Sequence, residues 1–343
     1  MLLDTPTLYY RAFFALPDSI TAPDGRPVNA VRGTLDFITH LVTHYHPDRL
    51  IACFDADWRP AFRVELLPSY KAHRVVEEVA PAPAGSPETA EKGGASSASV
   101  EEVPDTLTPQ VQILLEVLAA FGIADGWAPG FEADDAIAAY AALHGTTDGG
   151  PVDVVTGDRK TPEYQQPRIQ VVTGDRDLFQ LVDDTSGVQV LNIAKGVAKL
   201  EIMDDAAIQS KYNLVGGRAY ADFAVLRGDP SDGLPGVTGV GEKTAAALIN
   251  EYGTLASLLA ALEDPSSALK PAVRKKLDAA HDYLAIAPDV VQVRADAPVT
   301  KVESALPTVP SDPERLDELA KRYGLINPVK RLTKALAAPI ASA

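Results

Sequence analysis

The stretch GDPSDGLPGVTGVGEKTA, residues 228–245, combines two kinds of chemistry. Asp229 and Asp232 are three positions apart, so a helical turn would set both carboxylates on one face. Behind them the glycines at 236, 239 and 241 bracket Val237 and Val240 as a tight hairpin, and a helix is expected from about Glu242. Glycine lets a ligand come close to the main chain, and a helix N-terminus offers unpaired N–H groups. Such a surface grips a phosphodiester backbone without reading bases. An acidic pair alone would read as a surface turn, because Gly, Pro, Asp and Ser are turn formers. The Gly-Val-Gly hairpin, followed by Lys243 and a small-residue helix, argues instead for a backbone clamp beside a pair of carboxylates able to hold a metal.

Working outward, further acids fall at the ends of apolar runs. Residues 1–4 read as a short strand ending in Asp4, and LIACF at 50–54 as a buried strand followed by Asp55. Open α/β sheets place ligands at such strand ends. GFEADD at 130–135 opens a helix, with Glu132 and Asp135 on one side and Asp134 between them. The helix dipole favours acids in a first turn, and capping explains one of them. Three together repel unless a cation is present. The string VVTGDR occurs twice, at 154–159 and 171–176. Only the second copy continues into an acidic pair, Asp175 and Asp177, opening an amphipathic helix. The first meets Lys160-Thr161-Pro162 and reads as a surface insertion.

Residues 61–74, AFRVELLPSYKAHR, form a basic strip with Arg63, Lys71, His73 and Arg74. Lys and Arg there can hold a phosphate, and Tyr70 can stack on a base. His73 fits a solvated face. Arg11, within LYYRAFFAL, reaches either a carboxylate or a phosphate.

The 343 residues suit about two domains. A net charge of −16 excludes a simple basic coat for nucleic acid. It permits clustered carboxylates neutralised by divalent ions. Cys53 is the single cysteine, so no internal disulfide forms, and a reducing cytoplasm is expected. No apolar run reaches the ~18 residues of a membrane span, and MLLDTP lacks the pattern of a signal peptide. Residues 76–105 are rich in Pro, Ala, Gly, Ser and Glu without an apolar face and are expected to be a disordered insertion. Helical periodicity marks 33–45, 109–121, 204–212, 218–226, 244–252, 255–262, 271–284, 313–323 and 329–336, and a strand is expected at 188–191. The basic end, with Lys321, Arg322, Lys330, Arg331 and Lys334, reads as a solvated face.

In chain order, Asp4, FDAD at 54–57, YKAHR at 70–74, FEADD at 131–135, TGDRDLFQL at 173–181 and the opening stretch resemble the bacterial 5′-nuclease or flap endonuclease family. Its members occur as the 5′-3′ exonuclease domain of DNA polymerase I and as free-standing enzymes, and this chain resembles the free-standing kind. The resemblance implies an α/β fold: a PIN-like nuclease domain with a central, mostly parallel sheet over 1–203, the 76–105 insertion lying in its arch. A helical domain with a helix–hairpin–helix variant would span 204–300, and a C-terminal helical extension and tail 301–343.

It also implies Mg²⁺ or Mn²⁺, two or more ions, with K⁺ at the hairpin. The implied substrate is DNA with a 5′ flap, gap or 5′ end, cut by a monomer in replication and repair beside a polymerase and a ligase. By position, Asp4, Asp55, Glu132, Asp134 and Asp135 would serve one metal region and Asp175, Asp177, Asp229 and Asp232 the second. Lys71 and Arg74 would contact the scissile phosphate and Arg11 the 5′ nucleotide. Tyr70, Arg63, Gly236, Val237, Gly239, Val240, Gly241 and Lys243 would contact DNA.

Two other readings compete. Asp55-Ala-Asp57 has the spacing of an aspartyl-nucleophile phosphatase. That chemistry then needs Thr or Ser two residues on, where this chain has Arg59. A DNA-binding protein with a decayed metal site would keep the hairpin, but the near-complete set of acids argues against it.

Overall fold

The computed structural model describes residues 1–75, 104, 106–145 and 169–338. The expected insertion, save residue 104, and the first VVTGDR copy lie outside the described residues. The first part of the chain runs β1 (Leu2–Asp4), α1 (Thr5–Ala15), α2 (Asn29–Tyr45), β2 (Ile51–Cys53), α3 (Ala61–Leu66), α4 (Thr108–Phe121), β3 (Ala124–Gly126), α5 (Ala133–Gly145), β4 (Ile169–Thr173), β5 (Val188–Asn192) and β6 (Glu201–Met203). The strands form one sheet in the order β3-β2-β1-β4-β5-β6, with every pair parallel except β5 and β6. Chain order reverses between β1 and β4, and a crevice opens at the carboxyl ends of strands where that happens.

Alternation along the strands sorts the core into two layers. Leu2, Ile51, Val171 and Val190 pack on one side of the sheet, and Leu3, Ala52, Val172 and Leu191 on the other. Both faces are covered, which is why these strands read as mainly apolar runs, interrupted only by the buried Gln170 and Gln189. Helix α1 begins where it does because Asp4 Oδ1 accepts the Thr7 amide at 3.1 Å, with Pro6 in the first turn, where its missing N–H costs nothing. Helix α4 stops on Gly122, whose φ of +82° accepts the left-handed conformation of a C-cap.

The helical part comprises α6 (Asp205–Tyr212), α7 (Gly216–Arg227), α8 (Glu242–Tyr252), α9 (Leu255–Glu263), α10 (Pro271–Ala279) and α11 (His281–Val291). Its leucines continue the core that begins on the Leu2 side of the sheet. Helices α12 (Pro313–Arg322) and α13 (Ile326–Leu336) return to the opposite side. Leu316, Leu319, Leu332 and Leu336 join the same cluster as Leu35, Ile38, Leu114 and Leu118. Arg331 pairs with Asp36 at 2.5 Å and Arg315 with Glu116 at 2.6 Å. The basic C-terminal end is thus partly committed to ion pairs within the protein. Among the described residues, no single helix is long and apolar enough to cross a membrane.

The structure departs from periodicity in five places. Strands β3 and β6 are present where none was expected. The helix expected over 271–284 is two, broken at Ala280. The segment after Asp175 is a 3-10 helix, Asp177–Leu181, rather than a longer amphipathic one. The turn at Asp229 is likewise 3-10, Pro230–Asp232.

Candidate active site

A cleft of about 570 Å³ opens over the carboxyl ends of β1, β2 and β4. Asp4, Asp55, Glu132, Asp134 and Asp175 line it, together with Arg11, Lys71 and Arg74. Beside it is a small cavity of about 20 Å³ lined by Asp134, Asp177, Asp232, Glu132 and Tyr70 among others. Asp134 lines both. Acids separated by more than two hundred positions of sequence therefore meet at the reversal point of the sheet.

Each acid is placed by a distinct local device. Asp4 ends β1 and caps α1, and its Oδ2 accepts the Thr173 hydroxyl at 2.5 Å. The same hydroxyl oxygen accepts the Asp175 amide at 2.8 Å. Asp55 accepts the Ala133 amide at 2.8 Å, joining the end of β2 to the start of α5. Asp175 Oδ1 accepts the Asp177 amide at 2.9 Å. Asp229 is held by Ser231 and sits 3.4 Å from Arg227 and 4.0 Å from Arg176. Asp232 accepts Arg74 at 2.7 Å. The backbone of Lys71 donates to Asp232 O at 3.0 Å, and the Ser69 hydroxyl to Gly233 O at 3.0 Å. The basic strip is thereby docked on the acidic turn that precedes the hairpin.

Three expectations are corrected. Arg63 and Tyr70 were expected on a DNA-binding strip, but both are buried. Arg63 donates to Glu132 at 2.6 Å and to both oxygens of Asp135 at 2.7 Å. The Tyr70 hydroxyl donates to Glu132 at 2.7 Å. Asp135, expected at the metal, is fully buried, and its oxygens also accept the amides of Glu132 and Arg294. Glu132 and Asp135 do share a side of α5, but that side meets Arg63. Removing Arg63 would leave the buried Asp135 carboxylate without its ionic partner, at a cost of about 3–5 kcal/mol. Glu132 itself pairs with Lys71, Arg63 and Tyr70. Asp57 caps its own turn through the Arg59 amide at 3.0 Å and is absent from the cleft lining, which removes the phosphatase geometry.

The electrostatics follow from burial. Desolvation, with repulsion from Asp4 and Asp175, raises Asp134 well above the usual carboxylate range. Desolvation, with Asp175, Asp232 and Asp229, does the same for Asp177. Asp4 and Asp232 are raised chiefly by desolvation, and burial pushes Asp55 up to about 7. Burial would also raise Glu132, but Lys71 and Arg63 more than offset it and hold the group low.

Oxygen donors of this kind fit a hard divalent cation. Asp177 Oδ1 is buried with no hydrogen-bond partner, which points to a missing positive ligand. Among the described residues no three His, Cys, Asp or Glu side chains are arranged to hold one ion directly. Mg²⁺ does not require that, since it keeps several waters and uses one or two carboxylates with substrate phosphate.

The hairpin lies past this acidic turn. Gly228, Gly233, Gly236 and Gly239 all have positive φ. A Cβ on Gly236 would stand 2.5 Å from Arg227 O, so that turn admits only glycine. Gly241, Glu242 and Lys243 are exposed at the start of α8. Lys276 Nζ donates to Gly239 O at 2.7 Å, a contact the sequence did not suggest. Thr173, Tyr10, Phe14 and Trp58 also escaped notice at the cleft, although Thr173 stands inside the TGD motif.

A reversed parallel sheet with acids at its strand ends, followed by a helical unit with a glycine turn, defines a resolvase-like domain joined to a SAM fold. Residues 1–163 match the 5′-3′ exonuclease N-terminal resolvase-like domain, and residues 215–314 the 5′-3′ exonuclease C-terminal SAM fold. The chain belongs to the 5′-3′ exonuclease family. It is 52% identical over 338 residues to a 5′-3′ exonuclease of Streptomyces coelicolor, covering 98% of this chain and 100% of that one. The fold is similar to that of T5 5′-exonuclease with divalent metal ions (zinc) bound, at a TM-score of 0.56 and 18% identity over 98% of this chain and 97% of the other. It is also similar to the catalytic core of Rad2 in complex with DNA substrate, at 0.54 and 19% over 99% and 91%.

Proposed function

We propose that the chain is a divalent-metal-dependent 5′-3′ exonuclease and flap endonuclease that hydrolyses DNA phosphodiester bonds at the acid-lined cleft. The observation that carries this is the convergence of Asp4, Asp134 and Asp175 at the sheet reversal, with Lys71 and Arg74 on the same wall-to-wall space. Asp4, Asp55, Asp134, Asp175, Asp177 and Asp232 would hold Mg²⁺ or Mn²⁺, with Asp229 at the edge. Bound there, the ions supply Lewis-acid charge for water activation and for the leaving oxygen. Lys71 and Arg74 hold the reacting phosphate and stabilise the charge that develops on it. Arg11, anchored on Ala194 O at 2.8 Å, steadies the 5′ nucleotide. The exposed backbone at Gly239 and Gly241, with Lys243, grips the duplex. Gly236, Val237 and Val240, expected to contact DNA, are buried and shape the turn instead, with the Val237 and Val240 amides already bonded within the protein.

K⁺ on the hairpin is left out, because the Gly239 carbonyl already accepts Lys276 and the Val237 carbonyl accepts Val240 N. In the same proposal residues 1–203 cut, 204–300 grip, and 301–343 brace the sheet. A monomer working in the cytoplasm on the DNA that a polymerase and a ligase also handle completes it. The names of the Streptomyces relative and of the DNA-bound Rad2 core support this assignment.

The test is a labelled 5′-flap substrate incubated with the protein and Mg²⁺, with and without EDTA. Cleavage that EDTA abolishes supports the proposal. DNA binding without cleavage at any Mg²⁺ or Mn²⁺ concentration supports the decayed-site alternative instead.

A further inference from the structure

The C-terminal end of α11 is fastened to both acid-bearing segments. Helix α11 ends at Val291, which leaves its last carbonyls without intrahelical donors. Arg63 Nε donates to Val290 O at 2.9 Å. Gln180 Nε2 donates to Val291 O at 3.2 Å, and Gln180 Oε1 accepts Val293 N at 3.0 Å. Each of these side chains then reaches a carboxylate segment. Arg63 reaches Glu132 and Asp135, and Gln180 Nε2 also donates to Asp177 O at 2.8 Å. Closer to its start, α11 is tied to the hairpin side of the molecule. The Tyr283 hydroxyl donates to Val225 O in α7 at 3.0 Å, and Val237 N of the hairpin donates to Leu226 O at 2.9 Å.

We propose that α11 is a strut that fixes the spacing of the two carboxylate segments, and that Gln180 is the positioning residue through which it holds Asp177. This rests on the nuclease assignment above. The need for such a strut follows from the local structure. Asp175 stands in the loop after β4 and Asp177 opens a 3-10 segment that ends at Leu181, where side-chain ties must supply the order that a long helix would supply by itself. Gln180 touches neither the cleft nor the small cavity, and it acts only through the backbone it holds.

Gln180→Leu keeps the side-chain bulk and removes all three hydrogen bonds. Mn²⁺ binding to the full-length protein, read by electron paramagnetic resonance without DNA, is expected to weaken by about 10-fold, the usual cost of removing a group that orients a metal ligand. Flap cleavage should fall at limiting Mn²⁺ and recover at saturating Mn²⁺. Duplex binding in EDTA should stay at the wild-type level. A folded Gln180→Leu protein with wild-type Mn²⁺ affinity overturns the strut. If that variant does not fold, Tyr283→Phe loosens the same helix from its far side and should also weaken Mn²⁺ binding; unchanged affinity there overturns the proposal equally. A wild-type protein that binds no Mn²⁺ would instead remove the nuclease assignment, and the strut with it.

Discussion

The Thr173 hydroxyl donates to Asp4 Oδ2 at 2.5 Å while accepting the Asp175 amide at 2.8 Å. One oxygen thus sets two carboxylate residues at the carboxyl ends of neighbouring strands. Thr173→Val keeps the β-branched shape and loses both bonds. It should lower cleavage by about 10–100-fold, as expected for a group behind a metal ligand, and cost about 1–3 kcal/mol of stability. Thr173→Ser should retain most activity. Single-turnover rates and thermal melts of the two variants check this, and equal rates for Val and Ser would show that the hydroxyl is dispensable.

Lys71 has φ +49°, and its ammonium meets Glu132 at the cleft wall. Lys71→Ala should reduce cleavage by about 10²–10³-fold, the effect of losing one preorganised charge at a transition state. Duplex affinity should change little, because the hairpin grips elsewhere. Rates beside a binding isotherm in EDTA separate the two, and parallel losses would place Lys71 in binding rather than chemistry.

Asp134 and Asp177 repel their neighbours without a cation. Asp134→Asn should therefore raise the melting temperature of the metal-free protein by a few degrees, roughly the shift from 1 kcal/mol, while abolishing cleavage. A melting temperature that drops in EDTA would mean the carboxylate is structural.

Stability should depend on pH in a defined direction. The Asp55 carboxyl is raised from 3.8 to about 7, so between those values the folded state binds more protons than the unfolded one. Stability then falls as pH rises through that window and levels off above it. Asp4, Asp134 and Asp177 act in the same sense. Glu132 is held low, and its contribution is lost only as pH falls below its ordinary 4.5. Melts in EDTA should show a lower transition at pH 7.5 than at pH 5, with Mg²⁺ raising it more at the higher pH. The reverse order would contradict the assigned shifts.

Gly236 and Gly241 separate folding from gripping. Gly236→Ala meets Arg227 O and a φ of +64°, and should destabilise the turn itself. Gly241 has open space around its Cβ position and a φ of −91°. Gly241→Ala should melt like the wild type yet bind duplex more weakly, because the methyl stands where phosphate approaches. Unchanged binding in Gly241→Ala would move the DNA away from the start of α8.

Much of the fold was legible because a sheet buried on both faces shows as apolar runs, and four of the acids stand directly after such runs or at a helix start. Strand β3, ADG, and strand β6, EIM, were not, since they are the two edges of the sheet, only partly buried, and no apolar run marks them. The break at Ala280 carries no Gly or Pro to announce it. Arg63 and Tyr70 were misplaced for a different reason. A run of basic residues shows charge but not direction, and only packing turned Arg63 inward onto Glu132 and Asp135. Asp134 and Asp135 are adjacent in sequence, yet one lines the cleft and the other meets Arg63, because a helix rotates successive side chains by about 100°. Asp175, from the second VVTGDR copy, lines the cleft, while the first copy lies outside the described residues.

The central claim is that these gathered carboxylates bind divalent ions in the cleft. Crystals soaked in Mn²⁺ and measured for anomalous scattering test it most directly. The account predicts peaks within reach of Asp4, Asp134 and Asp175, and near Asp177 and Asp232. An empty cleft at saturating Mn²⁺, in a protein that still cuts flaps, would contradict it.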